Sequence, residues 1–196
     1  SAASDVYKRQ AMDSVTTTPD DRRRCRVLGI PVDACRDVQA AAIGLHARGG
    51  GRIVTLNAEM TMTALRTPEL GQAIEGADLV IPDGAGVVWA LSRQRVSVVK
   101  IAGIELAWTL LGYAAAHGWR VALVGAAPAV MDSLRQSLPQ RLPGLNLVMT
   151  VDGFQQAEAW NGIEAELQQL KPDLVLVALG VPRQEAWSER MSAGQQ

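Results

Sequence analysis

From Arg26 onward, short apolar runs alternate with longer stretches whose apolar positions recur every three or four residues. The short runs predict strands and the longer periodic stretches predict helices. Arg26–Ile30 predicts a first strand, closed by Pro31. Val38–Ala47 predicts a helix ended by Gly49, Gly50 and Gly51, and Arg52–Thr55 a strand. Helices follow over Ala58–Leu65 and Leu70–Glu75, with Pro68 between them. Leu79–Ile81 is a brief strand running into Pro82-Asp83-Gly84, and Gly86–Leu91 is helix-like. Ile104–His117 predicts a long helix with Gly118 at its C-terminus. Arg120–Val124 is the clearest buried strand, and Pro128 then stands at the start of a helix over Ala129–Leu138. Leu145–Val151 predicts a strand, Ala157–Leu170 a helix, Leu174–Leu179 a strand, and Arg183–Arg190 a last helix beyond Gly180-Val181-Pro182.

The runs RVALV and LVLVAL are apolar at every other position on both faces, which fits a parallel sheet covered on both sides. With helices between the strands, the pattern predicts a Rossmann-like, doubly wound α/β fold with a mostly parallel sheet and helices on both faces. The 196 residues suit one α/β core over residues 25–196, as a single body or two small lobes. Residues 1–24 are polar and begin at Ser1, with Met12 a candidate native start. They are set aside as a disordered tail or cloning remnant.

Composition narrows the function classes. The net charge of −1 gives no global field for nucleic acid. Arg22-Arg23-Arg24 and the pair Arg93 and Arg95 read as solvated surface; the first triplet also suits anionic lipid. Cys25 and Cys35 match no zinc or redox spacing, which fits a reducing cytoplasm. No apolar run approaches the roughly 18 residues of a spanning helix, and no secretory h-region is visible, so membrane contact is expected to be peripheral. His46 and His117 each lie near a predicted helix C-terminus, where a surface or dipole role fits. No His, Cys and carboxylate set has metal-ligand spacing, and neither a metal nor a cofactor is expected.

In doubly wound sheets ligands bind beyond the carboxyl ends of the strands. Thr55 and Asn57 leave the second strand; a hydroxyl and an amide there suit a sugar or phosphate, and Asn57 equally suits a helix cap. Pro82-Asp83-Gly84-Ala85-Gly86 places a carboxylate in a glycine-rich strand exit. Asp83 is a candidate general base, and alternatively a cap, while Gly84 and Gly86 admit close backbone approach. Gly125-Ala126-Ala127-Pro128 opens a helix whose amides suit a diphosphate, although tight packing explains Gly125 as well. It is neither G-x-G-x-x-G nor a Walker loop. Asp152-Gly153 is first of all a turn. After the last strand, Gly180, Pro182, Arg183, Gln184 and Glu185 offer room and polar groups; the alternative is a solvated first helical turn with a dipole-favoured Glu185. Trp187 reads as core.

Taken in order, these motifs resemble the WecG/TagA/CpsF glycosyltransferases. The matching pieces are Thr55-Leu56-Asn57 with Glu59, Ala77-Asp78-Leu79 leading to Pro82-Asp83-Gly84-Ala85-Gly86-Val87-Val88, and Ile101-Ala102-Gly103-Ile104-Glu105-Leu106. Val124-Gly125 with Pro128, and Leu179-Gly180-Val181-Pro182-Arg183-Gln184-Glu185 with Trp187, complete the set. The resemblance implies inverting transfer of N-acetylmannosamine or a related sugar from a UDP-sugar donor to a polyprenyl-diphosphate-linked N-acetylglucosamine. It implies Asp83 as base, with Thr55 and Asn57 beside it. Gly84, Gly86, Gly103, Gly125, Ala126, Gly180, Pro182, Arg183, Gln184 and Glu185 would bind substrate. It implies a cytoplasmic protein peripheral to the inner face of the membrane, and leaves a homo-oligomer open. Two departures stand out. Glu105 stands where relatives carry Asp, and the chain stops at Gln196, short of a glycine-rich segment and a basic, apolar tail. Weak or no turnover is the expectation for that shortened chain. The competing reading is a non-catalytic nucleotide-sugar-binding module. Asp83 separates the two: a carboxylate facing a pocket shared with Thr55 and Gln184 favours the enzyme, a mere helix cap favours the module. A nicotinamide-dependent oxidoreductase is disfavoured by the missing G-x-G-x-x-G.

Overall fold

The computed structural model describes residues 22–98 and 100–193. Its first element departs from the sequence pattern. β1 (Arg23–Val27) and β2 (Ile30–Ala34) form an antiparallel hairpin where one strand ended by Pro31 is predicted. Leu28 and Gly29 make the two-residue turn, with φ of 53° and 84°. Two positive-φ residues match the right-handed twist of a hairpin, but the usual Asn-Gly signal is absent. Pro31 sits inside β2 opposite Arg26, tolerated because the hairpin is a two-stranded ribbon. β1 also takes in Arg23 and Arg24 from the stretch set aside as tail; residues 1–21 lie outside the described residues.

The Arg triplet is not simply solvated. Arg24 grips Asp33 with both ends of its guanidinium, Nε and Nη2 each at 2.9 Å, and its pKa is raised chiefly by that bond. Arg22 donates to the carbonyl of Asp78. Asp33 is fully buried and its Oδ2 also accepts from the Val80 amide at 2.8 Å. A side chain, in place of ladder bonds, thus ties the hairpin to the neighbouring parallel pair.

That pair is β3 (Ile53–Leu56) and β4 (Leu79–Pro82). Between β2 and β4 the chain forms α1 (Val38–Ala47), α2 (Ala58–Ala64) and α3 (Pro68–Glu75). α4 (Ala85–Arg93) and α5 (Gly103–His117) lead on to β5 (Arg120–Gly125). Then come α6 (Pro128–Arg141), β6 (Asn146–Val151), α7 (Ala159–Leu170), β7 (Leu174–Ala178) and α8 (Arg183–Ala193). β5 is the centre of a parallel three-stranded ladder in the order β6-β5-β7. The helix signals act as predicted at several ends. Asp37 caps α1 through the Ala40 amide at 2.8 Å, Gly118 ends α5 at φ 67°, and Pro128 occupies the first turn of α6.

Alternation along the strands sorts the core into faces. In β5, Val121 and Leu123 pack with Leu111 and Ala114 of α5 and Met131 and Leu138 of α6. Ala122 and Val124 point the other way, towards Leu167 of α7 and Trp187 and Met191 of α8. In β4, Leu79 and Ile81 face α1 and α5, while Val80 joins Val54 and Leu56 in the cluster under the hairpin and α2 to α4. Leu56, Leu79, Ile81 and Leu91 are fully buried, each stabilising by about 1.5–3 kcal/mol. The fold is therefore the expected α/β class with helices on both faces. Its strand hydrogen bonding is divided into three sets, so β3 and β7 are not ladder partners.

Candidate functional site

The break between β3 and β7 is where a cavity of about 670 Å³ runs along the strands. That falls within the ~300–1,000 Å³ of ordinary small-molecule sites. Ile53, Leu106, Leu110, Leu174 and Leu176 give it an apolar middle. α5 and α8 each contribute a wall, and each touches both halves: α5 packs on α1 and β5, α8 on α3 and β7. At the amino ends of the strands stand His46, Trp119 and Asp173. His46 Nε2 lies 2.9 Å from Asp173 Oδ1, its ring stacks on Trp119 at 4.2 Å, and Asp173 Oδ2 accepts from the Arg120 amide at 2.8 Å.

The carboxyl ends carry the polar groups. Thr55 of β3, Asp83 beyond β4, Gly103 at the start of α5, Gly125 and Ala126 beyond β5, and Gln184 and Glu185 of α8 line the same cavity. Asp83 is half-buried, and its amide donates to the Leu56 carbonyl at 2.8 Å, which holds the turn against β3. It does not cap α4; Gly84 holds that position, at φ 81° and ψ 165°. That backbone region is essentially restricted to glycine, so Gly84 leaves the preceding carboxylate free of the helix end.

Gly103 brings α5 against the strand. A Cβ there would lie 2.9 Å from Thr55 Cγ2. Glu105 has a local job: its Oε2 accepts from the Ala102 amide at 3.1 Å and caps α5. Gly125 combines φ 117° with backbone contact, since an added Cβ would sit 2.3 Å from the Ala178 carbonyl oxygen. Strand-to-strand packing, not strand-to-helix packing, fixes this glycine. Ala126 is held at φ 60° by two backbone bonds, its amide to Ala178 at 2.7 Å and its carbonyl from Gly153 at 2.9 Å.

Other predicted site residues stand outside the cavity lining. Asn57 caps α2, its Oδ1 accepting from the Met60 amide at 2.8 Å. Gly86 serves helix packing, where a Cβ would meet Ala58 Cβ at 2.9 Å. Gly180 and Pro182 shape the link from β7 to α8. Arg183 lies over the Trp160 ring at 4.9 Å and donates to the Gly153 carbonyl at 3.0 Å. Asp152 forms the expected turn, accepting from the Phe154 amide at 2.9 Å.

Glu185 corrects the picture of a solvated first turn: it is 3% exposed. Gln184 Nε2 donates to its Oε1 at 2.8 Å, and burial pushes its pKa above the ordinary carboxylate value. Sequence reasoning also passed over Arg52, whose Nη2 donates to the Ala73 carbonyl at 3.0 Å while Nη1 is buried without a partner among the described residues. Its position as the first residue of a predicted strand gave no signal. Trp187 is core, as expected, and also lines the cavity. Among the described residues no group of three His, Cys, Asp or Glu could hold a metal ion, and no helix is long and apolar enough to cross a membrane.

A comparison with protein-family models matches residues 25–195 to the model described as Glycosyl transferase WecG/TagA/CpsF family.

Proposed function

The chain belongs to the WecG/TagA/CpsF family of glycosyltransferases, whose activity serves cell-surface polysaccharide synthesis, and from that premise we propose a specific reaction and site. It transfers N-acetylmannosamine or a related sugar from a UDP-sugar to a hydroxyl of a polyprenyl-diphosphate-linked N-acetylglucosamine, with inversion. The carboxylate of Asp83 takes the proton of the acceptor hydroxyl. The oxygen forms its bond to the anomeric carbon from the face opposite UDP, the bond from that carbon to the diphosphate oxygen breaks, and UDP leaves with the electron pair. The observation that carries this reading is Asp83 lining one cavity with Thr55 and Gln184 while Gly84 holds the cap position.

Supporting geometry comes from the helix starts. α4 and α6 have no side-chain hydrogen bond from their capping residues, and both begin at the carboxyl side of the strands. Their amides and dipoles favour an anion, which suits the diphosphate, and Gly125 and Ala126 lie beside the start of α6. Thr55 Oγ1 orients the acceptor or the sugar beside the base. Asn57, Gly86, Gly180, Pro182 and Arg183 act on substrate only indirectly in this reading, through the elements they fix. The acceptor is membrane-borne, so the protein works at the inner membrane surface as a peripheral partner of the lipid.

Calorimetric titration of UDP and UDP-N-acetylmannosamine, paired with turnover on a lipid-linked acceptor, tests the proposal. Asp83→Asn is expected to bind donor with wild-type affinity and to lose about 10²–10⁴-fold in kcat. Undiminished turnover by Asp83→Asn removes the base from this residue. Absence of UDP binding sinks the donor site.

A further inference from the structure

Three polar or charged side chains are buried among the described residues: Asp33, Thr61 and Glu185. The first two are fully accounted for, Asp33 by Arg24 and the Val80 amide, and Thr61 by donating to the Asn57 carbonyl at 2.8 Å. Glu185 is not. Its Oε1 accepts from Gln184, but its Oε2 is buried with no partner among the described residues. No cation among the described residues pairs with it. The other charged or titratable groups lining the cavity are Arg52, Asp83, His46 and Asp173. His46 and Asp173 engage each other, and Arg52 faces Glu189 of α8 at 4.0 Å. From the helices around α8, Glu75 of α3 pairs with Arg26 and Glu164 of α7 with Arg190. The Trp187 indole Nε1, on the same helix and also lining the cavity, is a buried donor without an acceptor among the described residues.

A buried carboxylate without a counter-ion is costly, and such a group takes up a proton instead. The first turn of α8 and the Gln184 amide both favour the anion, yet desolvation outweighs them and moves the pKa upward. Once protonated, Oε2 becomes a donor, and a buried donor calls for an acceptor. In the transferase reading above, on which this inference rests, the anomeric carbon must come within reach of a hydroxyl activated by Asp83. The sugar ring therefore occupies the cavity end that Glu185 lines.

We propose that the buried, unpartnered Oε2 of Glu185 is a sugar-selecting contact, donating a hydrogen bond as the carboxylic acid to a neutral oxygen of the bound sugar, a hydroxyl or an acetamido carbonyl.

Infrared difference spectroscopy on the purified chain tests this, with calorimetry on the same samples. The expected result is a protonated-carboxyl band that persists to higher pH than an ordinary glutamic acid, is absent in Glu185→Gln, and shifts on adding UDP-N-acetylmannosamine but not UDP. Donor affinity weakens as pH rises through the carboxyl's titration in the wild type and is flat there in Glu185→Gln. Glu185→Leu, checked for folding by thermal melting, binds the sugar nucleotide about tenfold or more weakly while binding UDP as before. No Glu185-dependent band overturns the proposal. A band left unmoved by a saturating, calorimetrically verified sugar nucleotide overturns the contact and leaves the transferase reading standing. No binding of either nucleotide overturns both.

Discussion

The two glycines that shape the cavity end do so by different means, and substitution separates them. Gly125 sits at positive φ with an ideal Cβ 2.3 Å from a backbone oxygen, so nothing flexible can yield. Gly125→Ala is expected to destabilise the fold by about 3 kcal/mol or more, from backbone strain and the forced separation of β5 and β7. Urea denaturation measures it, and a loss under about 1 kcal/mol would mean the strands part cheaply. Gly103 has an ordinary φ, and its added methyl would meet only the Thr55 side chain at 2.9 Å. Gly103→Ala is expected to cost about 1 kcal/mol in stability, as a small overpacking, while displacing Thr55 enough to weaken donor binding severalfold. Stability and affinity measured on one sample distinguish that outcome from general unfolding. Of the residues singled out from sequence, those with a double meaning resolved in both directions. Asn57 caps a helix, and Asp83 does not. The two look alike in sequence, each a short polar side chain before a helix. Asp83 differs because Gly84, with its glycine-only backbone, takes the cap position.

At the level of elements, the hairpin depends on one buried carboxylate. Asp33 satisfies the Arg24 guanidinium and the Val80 amide together, and it is the polar link between β2 and β4. Asp33→Ala leaves the buried Val80 N–H without its acceptor and leaves Arg24 with only the Ala77 and Glu75 carbonyls, so a loss of about 1–3 kcal/mol is expected in denaturant unfolding. Asp33→Asn keeps one acceptor and should lose less; equal losses would assign the effect to charge alone. This element was also the least legible. Strands buried on both faces, such as Arg120–Gly125, and helices with clear stops, such as Val38–Ala47, follow from periodicity because burial imposes it. The hairpin does not: its turn is Leu-Gly, its second strand contains a proline, and its anchor is a side-chain contact across 47 positions of sequence. The division of the strands into separate ladders was equally invisible, since pairing is a long-range property that a single strand's composition does not encode.

For the molecule as a whole, the titrating groups set opposing slopes on stability. Asp173, at the amino-end closure of the cavity, has its pKa lowered from the ordinary 3.8, first by the Arg120 amide and then by His46. Glu75 is lowered by Arg26. Groups held below their unfolded values stabilise the fold above those values, and that contribution is lost as pH falls through the folded pKa. Glu185 acts in the other sense. Its folded pKa lies above the ordinary 4.5, so the folded state holds the proton more tightly and stability declines as pH rises from that value through the raised one. Urea unfolding across a pH series should therefore show a maximum in mild acid. Asp173→Asn is expected to shallow the acid limb without touching the other, and Glu185→Gln to remove the decline on the alkaline side. An Asp173→Asn acid limb that overlays the wild type would mean that the contact between α1 and the turn before β7 contributes nothing to holding the two walls together. In the proposed reading ligand adds a third lever: a nucleotide sugar bound in the cavity between β3 and β7 would bind only the folded state, and at one hundred times Kd it would stabilise by about 2.7 kcal/mol. If the sugar engages Glu185 as the acid, that gain diminishes as pH rises through the same titration that sets the alkaline slope, so stability and affinity change together.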